Sequence, residues 1–330
     1  MTSDTGPVDG WPELPSDRWA DTIETLHLWT QVIGKIRLAH GPWLNHSWGV
    51  PLYVSTRGLR TSMIPFGLEA VELELDLLDH RLTVHTTTGQ QRSRSLRSGA
   101  VADFHRWVLD SMTELGMPVT ISPMPSEIPD AIPFDQDTGA RVYDPDHATA
   151  LWRGLVQADR LLTRFRAGFT GKASPVHFFW GSFDLATTRF SGRSAPPHPG
   201  GVPNLPDDVA REAYSQEVTS AGFWPGNRQN PEPIFYAYAY PTPDGFAQAP
   251  IEPGAATWLD DLGEFALPYS AVAAGPDPDG AVLSFLSSTH AAAADRAGWA
   301  RHDLETADPH GPDWWRTRPQ RTDRPAQPSG

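Results

Sequence analysis

Hydrophobic residues recur at helical spacing near the start of the chain and then alternate with polar residues. The helical stripe predicts a helix with Ser16 as its N-cap and Gly34 as its end. That stripe consists of Trp19, Ile23, Leu26, Trp29 and Ile33. Alternation then predicts antiparallel strands at 48–55, 70–78, 82–86 and 92–96. A helix from Ser98 to Gly116 completes this part of the chain.

The same order of patterns returns after a connection at 117–143 that contains five prolines. Asp144 followed by Pro145 predicts a second helix start, and Gly171 its end. A short acidic helix that contains Glu217 is expected among the strands that follow, and a final helix at 281–296. The expected strands are 177–193, 234–241 and 264–268.

The lysines mark what we interpret as an internal duplication. Lys35 and Lys172 are the only two lysines in a chain with 26 lysines and arginines, and each lies between a glycine and a later Trp-Gly pair. The segments that begin at Trp48 and Trp180 match without a gap. Matched pairs are Gly49 with Gly181, Thr56 with Thr188, Arg57 with Arg189, Ser62 with Ser194 and Pro65 with Pro197.

We therefore expect an α+β fold of two similar halves, each with the order helix, antiparallel sheet, helix, related by a pseudo-two-fold axis. The expected units are an N-terminal arm at 1–15, a first repeat at 16–116, the connection at 117–143, a second repeat at 144–301 and a disordered tail at 302–330.

Composition narrows the classes of function. A net charge of -14 argues against a nucleic-acid-binding or anionic membrane surface, because such binding needs clustered cationic charge. The absence of cysteine excludes disulfides and thiolate chemistry. With no apolar run of membrane-spanning length and no signal-peptide pattern at the start, the sequence predicts a cytoplasmic, soluble protein without nucleic-acid or membrane partners.

The segment HFFWGSFDLATTRFSGR, at 177–193, is the strongest candidate for a functional element, because its polar side chains lie among aromatic ones and need partners. His177 and Glu217 are candidate acids or bases, and Lys172 a candidate catalytic amine. Plain alternation predicts that His177 and Arg189 share one strand face and that Asp184 lies on the other. Candidate ligand-binding residues are Lys35, His46, Trp48, Arg57, Trp180, Asp184, Arg189, Trp224 and Tyr238.

Each of these candidates also has a structural interpretation. The lysines could neutralise helix C-termini, the arginines could join the halves through ion pairs, and the aromatic residues could pack across strands in a core. His177, His198 and Glu217 could form a two-histidine, one-carboxylate metal site. Their scattered spacing is not diagnostic, so a divalent metal cofactor is not favoured.

The chain resembles a family of uncharacterised bacterial proteins, domain of unknown function 5996. The resemblance rests on WPELP at 11–15, on GKASPVHFFWGSFDLATTRFSGR, on YSQE at 214–217, on AGFWPG at 221–226 and on FYAYAYP at 235–241. It implies a shared pattern over most of the chain and leaves out the tail beyond about His302. It assigns no mechanism.

These observations lead to a hypothesis of function. We expect an enzyme of unspecified reaction class that holds a small anionic molecule in an aromatic-lined cleft between the halves, with Lys172, Arg189 and His177 in contact with it. The alternatives are a small-ligand-binding protein without turnover and a structural or partner-binding scaffold. Burial of both lysine amines in ion pairs would favour the scaffold.

Overall fold

The computed structural model describes residues 11–14 and 19–306. In the first half, α1 (Ala20–His40) precedes six strands and α2 (Val101–Glu114) follows them. The strands are β1 (Tyr53–Val54), β2 (Gly58–Arg60), β3 (Ile64–Phe66), β4 (Glu69–Asp76), β5 (Arg81–Thr86) and β6 (Gln91–Ser95). Their order in the sheet is β1-β2-β4-β5-β6, with β3 also paired to β4, and every pairing is antiparallel.

The second half begins with α3 (Pro145–Ala167), which Asp144 caps by accepting hydrogen bonds from two backbone amides. Its strands are β7 (His177–Phe179), β8 (Asp184–Ser194), β9 (Gln216–Trp224), β10 (Ile234–Tyr240), β11 (Thr257–Leu259) and β12 (Glu264–Pro268). Its remaining helices are α4 (Asp207–Ala213), α5 (Tyr269–Ala273), α6 (Pro278–Arg296) and α7 (Arg301–Leu304). The sheet order is β11-β12-β10-β9-β8-β7, again all antiparallel. The fold is therefore α+β with two antiparallel sheets.

The two sheets meet edge to edge at their first strands. Leu52, next to β1, and Phe178, in β7, exchange two backbone hydrogen bonds of 2.9 Å each. One large hydrophobic core contains side chains from both halves, including Ile33 of α1, Leu73 of β4 and Phe223 of β9. The halves therefore share a core and do not form independent domains.

The second sheet has two unlike faces because side chains alternate along its strands. Leu185, Phe223 and Phe235 belong to the large core, whereas Ala186 and Tyr236 lie in a smaller cluster on the opposite face. We call this opposite face the tyrosine face; on β8, β9, β10 and β12 it carries Asp184, Ala186, Thr188, Ser220, Gly222, Tyr236, Tyr238 and Glu264.

Several expected boundaries are wrong, and the first concerns α1. The helix continues through Gly34 to His40, which puts Lys35 in a helix interior. Gly34 is required there by packing, because a Cβ at this position would overlap the indole of Trp180. The expected N-cap, Ser16, lies outside the described residues.

Further corrections concern the second half and the end of the chain. The α3 helix ends at Ala167, before Gly171, and Glu217 lies in β9 rather than in a helix. The expected strand at 177–193 is two strands, β7 and β8, with Trp180 in the turn between them. Residues 302–304, at the start of the expected tail, belong to α7; residues 307–330 lie outside the described part of the chain.

The order helix, antiparallel sheet, helix occurs twice, as expected, but the ungapped match does not pair equivalent positions. Lys35 lies inside α1, whereas Lys172 lies in the loop after α3. Arg57 lies in the turn between β1 and β2, whereas Arg189 lies within β8. The repeated order of elements is therefore a coarser similarity than the residue-by-residue match.

Candidate functional site

Asp184 is the central polar residue of the tyrosine face. It is 7% exposed and accepts hydrogen bonds from the hydroxyls of Ser182 and Tyr236. Tyr236 reaches it across β9 at Gly222, where a Cβ would overlap the tyrosine hydroxyl. Burial raises the pKa of Asp184, and the two hydroxyl donors oppose that shift.

Two further carboxyl groups lie near Asp184. Glu127 comes from the proline-rich connection and Glu264 from the start of β12. Burial and, second, the charge of Asp184 raise the pKa of each to about 7. Glu127 lies against Gly181, where a Cβ would overlap its carboxyl group.

The carboxyl groups of Glu127 and Glu264 have no hydrogen-bond or ion-pair partner within the described part of the chain. Among the same residues, no lysine, arginine or histidine pairs with Asp184. The three carboxyl groups therefore lie together in a half-buried environment, and none of the described residues places a cationic side chain beside them. In such an arrangement, some of the carboxyl groups stay protonated unless a cation binds beside them.

Three tyrosine hydroxyls complete what we call the carboxyl cluster, which consists of Glu127, Asp184, Glu264, Tyr214, Tyr236 and Tyr238. The hydroxyls of Tyr214 and Tyr238 lie 2.7 Å apart, and the rings of Tyr236 and Tyr238 are stacked with centroids 6.1 Å apart. Burial, as the leading cause, raises the pKa of all three tyrosines, so the hydroxyls remain protonated at neutral pH. Half-buried Phe179 and Trp224 pack beside them.

A second polar group joins the halves. Lys172 Nζ lies 2.6 Å from Nε2 of His46 and donates to Oε1 of Gln216 at 2.9 Å. His46 Nδ1 lies 2.9 Å from the carbonyl oxygen of Ala213, which can only accept, so the proton is on Nδ1 and Nε2 is free to accept from Lys172. The aromatic rings of Trp48 and Phe190 flank the amine, at 5.6 and 4.6 Å from ring centroid to Nζ.

The backbone of His46 is held in an uncommon conformation. His46 and Ser47 both have φ of 58°, and the Glu212 carboxylate accepts from the His46 amide with both oxygens at 2.9 Å. Burial lowers the pKa of both His46 and Lys172, whereas Glu212 raises both. His46 is therefore neutral at pH 7 and acts as an acceptor.

His177 lies on the same face as Asp184, contrary to the expectation from alternation. The turn between β7 and β8 resets the phase, so His177 pairs directly with Ala186. His177 is 1% exposed, and burial with the charges of Arg37 and Arg166 lowers its pKa to about 3. Its Nδ1 has no partner among the described residues. These properties do not suit the expected role of acid or base at neutral pH.

The arginines expected at the site lie elsewhere. Arg57 pairs with Asp76 and Asp79 at the first sheet. Arg189 points to the helix side of β8, where it donates to the carbonyl of Phe165 and stacks on its ring. Burial lowers the pKa of Arg189 to about 9. Neither guanidinium meets Lys172, so the set expected to bind an anion is not assembled.

The expected metal ligands are also separated. Glu217 pairs with Arg193 and accepts from Ser191, and the ring of His198 stacks on Tyr214 with centroids 4.8 Å apart. Across 11–14 and 19–306, no group of three or more histidine, aspartate or glutamate side chains is arranged to hold a metal ion.

The remaining candidates support the structure around these two groups. Lys35 is 5% exposed and donates to Ser126 Oγ at 3.0 Å, with Nζ 5.6 Å from the ring centroid of Trp180. Trp180 donates from its indole nitrogen to the carbonyl of Val50 at 2.8 Å. Neither lysine is in an ion pair within the described residues, so the condition that would favour a scaffold is not met.

The two polar groups contain four residues that the sequence analysis named as candidates, Asp184, Tyr238, His46 and Lys172. Glu127, Glu264 and Tyr214 were not named as candidates from the sequence. Side chains alternate along β10, which puts Tyr236 and Tyr238 on the same face. No local pattern indicates Glu127, because a proline-rich loop has no period that fixes where its side chains point.

The fold and site together define the class of this protein: an α+β protein of two antiparallel sheets, one of which carries a half-buried carboxyl cluster. The chain belongs to the family of unknown function DUF5996, whose model matches residues 11–306. No curated protein and no solved structure matches the chain. None of the helices in the described ranges has the length and hydropathy needed to cross a membrane.

Proposed function

We propose that the tyrosine face binds a small organic cation, such as an amine or a quaternary ammonium compound, at the carboxyl cluster. The observation that carries this proposal is the absence of a cationic partner for Glu127, Asp184 and Glu264 among the described residues. A ligand cation would supply the missing charge, and the tyrosine rings would contact its apolar surface.

The charge of this face favours a cation over the anion expected from the sequence. That expectation depended on Lys172 and Arg189 facing one ligand, and the two side chains point in different directions. The aromatic lining was expected, and Tyr238 and Trp224 supply it here. The proposal therefore keeps the aromatic site and reverses the sign of the ligand.

The same geometry supports proton transfer as the activity. A carboxyl group with a pKa of about 7 is present in both protonation states at neutral pH, which suits an acid or base. Glu127 and Glu264 are the groups with this property. Asp184 is fixed by two hydroxyl donors and would position the cation.

Isothermal titration calorimetry with three isosteric probes tests the sign of the ligand charge. The probes are choline, the neutral 3,3-dimethylbutan-1-ol and the anionic 3,3-dimethylbutanoate, with methylguanidinium and butylamine as further cations. We expect at least one cation to bind and Asp184→Asn to weaken it about tenfold, which corresponds to the loss of one charged contact. Glu114→Gln, at an exposed ion pair on α2, is the matched control. Binding of the anion alone, or no effect of Asp184→Asn, would contradict the proposal.

Proton release on binding tests the proposed acid or base. A cation lowers the pKa of neighbouring carboxyl groups, so binding near pH 7 should release about one proton, and binding at pH 9 none. Calorimetry in buffers of different ionisation enthalpy measures this number. The double variant Glu127→Gln and Glu264→Gln, which keeps Asp184, should bind the cation without releasing a proton.

We also propose that the two halves arose by duplication. The repeated order of elements and the meeting of the first strands, at Leu52 and Phe178, support a pseudo-two-fold relation. Superposition of the two halves in a crystal structure tests the proposed duplication. β1, β2, β4 and β5 should superpose on β7, β8, β9 and β10 in that order, and any other correspondence would contradict a common origin.

A further inference from the structure

The amine of Lys172 has a geometry that the proposed cation site does not use. Phe190, which flanks it, lies six residues along β8 from Asp184, a separation of about 20 Å at the usual rise per strand residue. A small ligand in contact with Asp184 therefore does not reach Lys172. The amine needs an explanation of its own, independent of the proposed function.

Two fixed acceptors orient the nitrogen. A neutral amine has two N–H donors and one lone pair, and Lys172 faces two acceptors, His46 Nε2 at 2.6 Å and Gln216 Oε1 at 2.9 Å. When both donors are used, the lone pair points in the remaining direction. The side chain is half-buried, so reagents reach it.

His46 is built to exchange a proton with this amine. Its Nδ1 hydrogen is committed to the Ala213 carbonyl, and the Glu212 carboxylate holds its backbone. Nε2 can therefore take a proton along the existing hydrogen bond and return it. No carboxylate pairs with the Lys172 ammonium among the described residues, so no ion pair holds it in the charged form.

We infer that Lys172 is a nucleophilic amine that forms an imine with a small carbonyl compound, with His46 as its proton acceptor and donor. The nitrogen lone pair attacks the carbonyl carbon, and the new C–N bond forms as the carbonyl π electrons move to oxygen. His46 Nε2 carries both protons of the amine to this oxygen, one after the other. The nitrogen lone pair then forms the C=N bond as the C–O bond breaks and one water leaves, so no oxidant or reductant is consumed.

The chain offers its own control, because Lys35 is the only other lysine. Lys35 is 5% exposed, so it should react only after unfolding. Its protection in the same sample reports that the protein, or any variant, is folded. A variant that fails to fold would thus be recognised and replaced by a milder one.

Reductive labelling with acetaldehyde and cyanoborohydride at pH 7.5, followed by peptide mass spectrometry, tests the inference. Nα-acetyl-lysine amide in the same tube is the reference amine. We expect Lys172 to be labelled about fivefold faster than the reference or more, since a positioned base and a less basic amine both favour attack. Lys35 should stay unlabelled.

His46→Asn is the decisive variant, because asparagine tolerates the positive φ of this position but cannot exchange the proton. With Lys35 still protected, labelling of Lys172 should fall to the reference rate or below it. The matched control is His85→Asn, an exposed histidine of β5, which should change nothing. Reaction of Lys172 no faster than the reference, or unchanged reaction in His46→Asn, would overturn the inference.

Discussion

The two lysines of the chain lie over tryptophans of the opposite half at the same distance, yet their surroundings differ. Lys35 of the first half faces Trp180 of the second, and Lys172 of the second faces Trp48 of the first, each with Nζ 5.6 Å from the ring centroid. Lys35 is buried with one serine hydroxyl as its partner. Lys172 is half-buried with an imidazole and an amide.

The aromatic contact therefore does not decide the role of a lysine. The polar partner and the exposure do, because they fix whether the amine can lose a proton and meet a reagent. Burial lowers the pKa of Lys35 to about 8, but the amine is enclosed. Lys172 is accessible and has a base beside it.

Substitution of each lysine by arginine should give the largest difference in the free energy of unfolding between the two positions. An arginine at position 35 cannot shed its charge and is bulkier, so Lys35→Arg should lower the free energy of unfolding by about 3 kcal/mol or more. Lys172→Arg, at a half-buried position, should cost under about 1 kcal/mol. Urea unfolding monitored by circular dichroism measures both. Equal losses would show that the two environments are alike.

Substitution of the two tryptophans should give the second-largest difference in the free energy of unfolding. Trp180 is 5% exposed, rests on Gly34 and donates to the Val50 carbonyl. Trp180→Phe should therefore cost about 2–3 kcal/mol through lost packing and an unsatisfied carbonyl. Trp48 is half-buried, and Trp48→Phe should cost about 1 kcal/mol or less. The same unfolding experiment compares them, and a larger loss at Trp48 would reverse the assignment.

The smallest effect on the free energy of unfolding is expected in a pH series, which tests the titration of Lys35 by itself. Because the folded pKa of Lys35, about 8, is below the ordinary value of 10.5, its burial penalty is full below pH 8 and disappears toward pH 10.5. The free energy of unfolding of the parent should thus rise relative to Lys35→Met by about 1–3 kcal/mol between pH 7 and 10. A difference that is flat with pH would mean that Lys35 keeps its ordinary pKa in the fold.

The sequence predicted elements better than it predicted contacts. Alternation gave β4, β5 and β10, and the Asp-Pro pair gave the start of α3. The sequence prediction failed at Gly34. A glycine often marks the end of a helix, but Gly34 lies inside α1 because it packs against a distant indole. That indole is 146 positions away in sequence, by subtraction of 34 from 180, so no local pattern could indicate it.

The candidate site shows the same division. The rarity of lysine singled out Lys172 as a candidate, but its partner His46 comes from a loop of the other half, and their pairing depends on how the halves pack. Strand alternation misplaced His177 because a four-residue turn, 180–183, shifts the phase between β7 and β8. Glu127 and Glu264 became visible only when the loop and strand positions were known.

The most direct test of the difference between the lysines is nuclear magnetic resonance of protein labelled only at lysine with ¹³C at Cε. Two resonances are expected, assigned with Lys172→Arg, and each is titrated with pH. We predict that both amines titrate below 10.5, with Lys35 near pH 8, and that His46→Asn shifts the titration of Lys172 alone. Two amines that titrate together near 10.5 and do not respond to His46→Asn would contradict the account.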